Sequence, residues 1–178
     1  RCGFRPCARR MSETQPLVRP TACASNRVVQ RLRPAGGGDK DLQALGRHAS
    51  IRRVEIRNWP VSDDGLAALA KLPRLSTLEI VTAGVLTDKG VRPLGGLPAL
   101  ESLHLAGLDL RSDSLKPLAD LPRLRALTLA DGRIKGSNLA HLGRSTTLTS
   151  LCLKDLDIDG PGFEQLGALG QLQQLEIH

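Results

Sequence analysis

One hydrophobic pattern, L-x-x-L-x-L, recurs six times between residues 51 and 178. The copies open at Ile51, Leu75, Leu100, Leu124, Leu148 and Leu172, at spacings of 24, 25, 24, 24 and 24 residues. No other property of the chain constrains its fold as tightly. A unit of this length cannot bury its own apolar face. It must stack on a copy of itself, and a fixed period of about 20–50 residues therefore signals a solenoid or another repeat array.

The rest of each unit repeats as well. A further apolar residue follows each strand-like stretch, at Val61, Leu86, Leu110, Ile134 and Ile158. Next come Leu66, Val91, Leu115, Leu139 and Phe163, and three residues on Leu69, Leu94, Leu118, Leu142 and Leu166. The last position of the set reads Leu72, Leu97, Leu121, Ser145, Leu169, so Ser145 stands out as a packing defect. The first half of each unit alternates with a period of two, which predicts a strand. The second half has i, i+3 spacing, which predicts a short α or 3₁₀ helix. Ser62-Asp63, Thr87-Asp88, Ser112-Asp113 and Ser137-Asn138 are candidate N-caps. Pro73, Pro98 and Pro122 end three of the helical halves. Pro93 and Pro117 fall within helical halves, so those helices are expected to start late or to run as 3₁₀.

A lone helical half, Leu42-Gln-Ala-Leu45-Gly-Arg47, precedes Ile51, and Gly36-Gly37-Gly38 lies before it. The expected organisation is a disordered basic tail over residues 1–37 and a repeat domain over residues 38–178. Because His178 directly follows a strand pattern, the domain is expected to be truncated at its C-terminus.

Charge divides along the same boundary. The chain carries 25 Lys and Arg against 18 Asp and Glu. Residues 1–39 hold eight Arg against Glu13 and Asp39, whereas residues 40–178 hold 17 basic and 16 acidic residues. The basic balance therefore belongs to the tail and gives the body no bias toward nucleic acid. Aromatic content is 2%, from Phe4, Trp59 and Phe163, which leaves no platform for stacking bases. No apolar run is long enough to cross a membrane. Neither a secretory h-region nor the amphipathic face of a transit peptide is visible near the start. Cys2, Cys7 and Cys23 show no zinc-ligand spacing, and Cys152 is alone in the body, so a reducing, cytoplasmic location is expected and no metal.

These units resemble the leucine-rich repeat family. Val61-Ser-Asp-Asp-Gly-Leu66-Ala-Ala-Leu69 and Leu86-Thr-Asp-Lys-Gly-Val91-Arg-Pro-Leu94 look most like the bacterial and F-box-associated type, with its V-T-D-x-G-L-x-x-L second half. The resemblance implies an α/β class: a right-handed, ribonuclease-inhibitor-like solenoid with a parallel sheet on the concave face and short α or 3₁₀ helices on the convex face. It also implies a non-catalytic protein–protein interaction scaffold. The alternatives it raises are the substrate-recognition part of a ubiquitin-ligase assembly, or a repeat fragment of a larger enzyme. One departure stands out. Where the family often places a laddering Asn or Cys, this chain has Trp59, Leu108, Gly132 and Leu156, with Ala83 or Gly84 in the unit that has an extra residue. The backbone groups of those turns need other partners.

Alternation turns the residues between the core leucines toward the concave face. One column reads Arg53, Thr77, Ser102, Ala126, Ser150, Gln174. A second reads Glu55, Glu79, His104, Thr128, Cys152, Glu176, and a third Arg57, Val81, Ala106, Ala130, Lys154, His178. From these, the partner-binding set is Arg53, Glu55, Arg57, Thr77, Glu79, Ser102, His104, Ala126, Thr128, Ala130, Ser150, Cys152, Lys154 and Glu176. His104 and Cys152 lie two strands apart, about 10 Å at the usual strand spacing, too far for a nucleophile and its base. Glu55 and Glu79 are neighbours, which the presence of Arg53 and Arg57 explains as solvated, charge-balanced acids. No phosphate loop, zinc-protease or serine-hydrolase motif occurs, so no catalytic residue and no cofactor is expected.

Overall fold

The computed structural model of the chain describes residues 21–23, 27–32 and 39–178, with the first two stretches and residues 83–84 described by their backbone alone. The described strands form one eight-stranded sheet in sequence order. They are β1 (Thr21–Cys23), β2 (Arg27–Leu32), β3 (Arg53–Arg57), β4 (Thr77–Thr87), β5 (Ser102–Leu110), β6 (Ala126–Lys135), β7 (Ser150–Asp159) and β8 (Gln174–Ile177). From β2 to β8 every pairing is parallel. Only β1 runs antiparallel to its neighbour. The helices are α1 (Asp39–Leu45), α2 (Asp63–Leu69), α3 (Asp88–Val91), α4 (Lys116–Ala119) and α5 (Gly136–Leu142), with 3₁₀ turns at Arg92–Gly96 and Phe163–Ala168. This is an α/β leucine-rich-repeat solenoid, one strand and one short helical segment per unit.

The repeat leucines build the core. Leu78, Leu103, Leu127 and Leu151 share one register position and are buried. Helical-half positions such as Leu66, Val91, Leu115 and Leu139 close the same cluster from the other side. The two internal prolines sit where a missing N–H costs nothing. Pro93 lies in the first turn of the 3₁₀ segment and Pro117 in the first turn of α4, which starts late at Lys116.

Three features differ from the sequence reading. First, the strands are longer. Beyond the six-residue motif, β5, β6 and β7 continue in register, Leu108 to Gly132 to Leu156 and Leu110 to Ile134 to Ile158. This second ladder supplies hydrogen-bond partners to turns that have no Asn ladder. Between the two segments of β5, β6 and β7 the chain bends at a left-handed residue, Gly107 (φ 82°), Asp131 (φ 50°) and Asp155 (φ 49°), and Asn58 (φ 55°) takes the same conformation directly after β3. Gly, Asn and Asp tolerate that conformation best. The 25-residue unit has the β-branched Thr82 there, and in that unit the pairing shifts register between Val81 and Leu86.

Second, only two of the four candidate caps cap a helix. Ser62 accepts from the Asp64 N–H and Thr87 from the Lys89 N–H. No side chain caps α4 or α5, because α4 begins after Ser112-Asp113 and α5 already begins at Gly136.

Third, the sheet begins before residue 38. The expected disordered tail contains β1 and β2, and β2 pairs with β3 from Val29–Arg53 to Leu32–Ile56. Arg27–Leu32 precedes Ile51–Ile56 by 24 residues, the repeat period. It is a degenerate copy, with Arg27 and Gln30 at the first two leucine positions and only Leu32 retained. Together with α1 it completes the half-unit. The rest of the tail lies outside the described residues.

Candidate functional site

Parallel pairing without slippage aligns the three columns as their spacing required. Arg53, Thr77, Ser102, Ala126, Ser150 and Gln174 are successive register partners, as are Glu55, Glu79, His104, Thr128, Cys152 and Glu176. The third column runs Arg57, Val81, Ala106, Ala130, Lys154. All lie on the sheet face away from the helices.

The columns are graded in chemistry. At the β3–β4 end, Arg53 Nε donates to Glu55 Oε1 at 2.6 Å, and Arg57 pairs with Glu79. Glu55 is only 9% exposed, so the expectation of two solvated acids is corrected: Glu55 is a buried carboxylate and Glu79 a half-buried one, each held by an arginine. The centre is neutral and low. Thr77, Ser102, Ala126, Thr128 and Ser150 are half-buried, and between them Ala106 and Ala130 are recessed at 2% and 5% exposure. Ala130 therefore forms floor and offers little contact area of its own. Lys154 and Glu176 make the far end polar and exposed.

His104 stands beside Glu79 and Thr128 in the second column. Burial disfavours its charged form and holds its pKa below the usual imidazole value, against the pull of Glu79. Burial, followed by the charge of Glu176, pushes the Cys152 thiol up. A raised thiol pKa opposes nucleophilic use. The strand of Thr128 separates the two residues, as the spacing indicated. Among the described residues no group of His, Cys, Asp and Glu could hold a metal ion, and no helix is long and apolar enough to cross a membrane.

A second set of residues was missed in the sequence. Asp39 accepts from the Ser62 N–H and pairs with its hydroxyl; Asp63 accepts from the Thr87 N–H at 3.0 Å and its hydroxyl at 2.5 Å. Asp88 accepts from the N–H groups of Arg111 and Ser112. These carboxylates are rungs between consecutive units. Two of them also explain a glycine: a Cβ on Gly65 would meet the Asp39 carboxylate, and one on Gly90 the Asp63 carboxylate, at 2.3 and 2.5 Å. The T-D-x-G spacing that carried the family resemblance thus has a structural cause. The signal was present in the sequence as an Asp recurring 24 or 25 residues apart.

The sequence matches no family model and no curated protein. Among solved structures, the chain is similar to internalin C2 of Listeria monocytogenes, with 20% identity and a TM-score of 0.54, over 84% of this chain and 73% of that one. It is similar to an internalin, inlF, of the same organism, with 23% identity and a TM-score of 0.53, over 77% of this chain but only 44% of that one. At this level of identity the likeness establishes the leucine-rich-repeat fold.

Proposed function

We propose that this protein is a non-catalytic interaction scaffold that holds a protein partner on its concave sheet face. One observation carries the reading. Six parallel strands present aligned columns whose charges are self-neutralised at one end and whose centre is short, neutral and recessed. A low floor beside paired charges fits a protruding element of a partner, a helix or a loop. Strand-mounted side chains are already ordered, so little freedom is lost when they dock. The structural likeness to internalins supports the fold on which this reading stands and adds no partner identity.

Catalysis fits the same face poorly, because both glutamates are engaged by arginines and His104 lies out of reach of Cys152. The ubiquitin-ligase reading rested on the V-T-D-x-G-L spacing, which the Asp rungs account for. A reducing, cytoplasmic setting remains part of the proposal and rests on the free thiol of Cys152.

The test is affinity capture with the double variant Ala126→Arg, Thr128→Arg, beside Lys89→Glu on the helical side as control. Both concave positions are half-buried and point away from the core. The scaffold reading expects the concave variant to lose a partner that the control retains, at an unchanged thermal midpoint. Equal capture by both variants would remove the concave face as the site.

A further inference from the structure

The two edges of the solenoid carry opposite charge. One edge is formed by the segments that lead from each helix end into the next strand. Over residues 46–52, 70–76, 95–101, 120–125, 143–149 and 167–173 it carries seven Lys and Arg against Glu101 and Asp120. The opposite edge runs from the bend after each concave strand segment, through the second ladder in the units that have one, into the next helical half. Over residues 58–64, 82–89, 107–113, 131–138 and 155–162 it carries four Lys and Arg against nine Asp.

Helix dipoles favour this arrangement, since helix N-termini face the acidic edge and C-termini the basic one. They do not account for how the charges are used. On the acidic edge Asp63 and Asp88 hold backbone and hydroxyl groups of the next unit, Asp109 pairs with Arg111, and Asp113 accepts from Ser137. On the basic edge Arg47, Arg52, Lys71 and Arg74 at one end, and Arg123, Arg125 and Arg144 at the other, are all exposed. None of these seven has an ion-pair partner among the described residues. Arg123 and Arg125 also line a recess of about 510 Å³ with Glu101, Thr147 and Thr149.

We propose that this basic edge is a second docking surface, and that its occupant is an acidic segment of a protein partner lying across the strand starts. The first and fifth units are four strand spacings apart, about 19 Å. An extended segment of about six residues covers that distance. Charge complementarity selects an anionic occupant, and the layout selects among anions. The middle unit presents Glu101 and no base, so the seven cations fall into two groups. The continuous phosphate backbone of a duplex would have to pass over Glu101 and Asp120, whereas a peptide can place its carboxylates at the two groups alone. The large exposed apolar side chains, Val85, Phe163, Leu175 and Ile177, lie off this edge, so nothing on it anchors in a lipid surface. The proposal is separate from the concave reading, because none of these residues belongs to the three concave columns.

The probe is a fluorescent twelve-residue peptide with six Glu, titrated by anisotropy against the full chain. Binding is expected at low salt, weakened at least about tenfold by raising salt from about 50 to 300 mM, since exposed charges are screened over about a Debye length. The triple variant Arg123→Glu, Arg125→Glu, Arg144→Glu should lose at least about tenfold in affinity. Its circular dichroism and thermal midpoint should match the wild type, and Ala126→Arg, Thr128→Arg should leave peptide binding intact. No binding, or equal binding by the triple variant, overturns the proposal. So does tighter binding of a 20-base-pair duplex or of phosphatidylserine vesicles through the same three arginines. Concentration-dependent self-association in sedimentation, abolished by the triple variant, would replace the partner with a second copy's acidic edge.

Discussion

Asp63 accepts both the backbone N–H and the hydroxyl of Thr87, one unit further on. Removing it leaves two half-buried donors without an acceptor. Asp63→Ala is expected to cost about 1.5–3 kcal/mol, the usual loss for hydrogen bonds to a charged group, read as a shift in the denaturation midpoint. Gly132 makes a different demand: a Cβ there would come within 2.1 Å of the Leu108 carbonyl oxygen. Gly132→Ala must push two paired strands apart, so a loss of about 1–3 kcal/mol is expected. Ser145 is buried where other units place Leu, and its hydroxyl meets no hydrogen-bond partner. Ser145→Leu should therefore raise stability by about 1 kcal/mol, and a lower thermal midpoint would show that the site has no room. At this scale the sequence was only partly readable. The odd serine stood out against four leucines, whereas the recurring Asp shows in the sequence without its partners, which appear only once two units are stacked. His104 adds a pH dependence. Its folded pKa lies below 6.5, so the unfolded chain takes up the proton first as pH falls. Stability from this group is thus complete above 6.5 and declines as pH drops below it. His104→Gln should flatten that part of the midpoint-against-pH curve.

Elements with a complete apolar pattern were legible, and those with a degraded one were not. Strands β3 to β8 follow directly from the leucine period. The second ladder in β5, β6 and β7 was hidden because Leu110, Ile134 and Ile158 read equally well as single apolar anchors after a turn. Strand β2 was hidden because polar residues hold two of its three leucine positions. Its pairing with β3 makes a prediction opposite to the tail's composition. Deleting residues 1–37 removes the strand that covers β3, so the thermal midpoint should fall. An unchanged midpoint would show that β3 tolerates an open edge. Leu127, 1% exposed in the middle strand β6, offers the calibration: Leu127→Ala should cost about 2–5 kcal/mol.

Across the whole molecule the repeat separates three surfaces by position within the unit. Alternation along the strand sets the concave columns, and the two strand ends become the acidic and basic edges. The concave columns were fully legible, because a parallel ladder keeps one register over six strands. Their relief was not, since the burial of Ala106, Ala130 and Glu55 depends on neighbours in adjacent units. The opposed edges were hidden by a body charge near zero, which sums two surfaces of opposite sign. The central claim is partner recognition on the concave face. Its most direct test is to isolate a partner with the wild-type chain, then measure the dissociation constant of that complex for Ala126→Arg, Thr128→Arg and for Lys89→Glu by calorimetry. The account predicts a loss of at least about a hundredfold for the concave variant, as expected for bulk at the centre of an interface, and no change for the control. Wild-type affinity in the concave variant would contradict it.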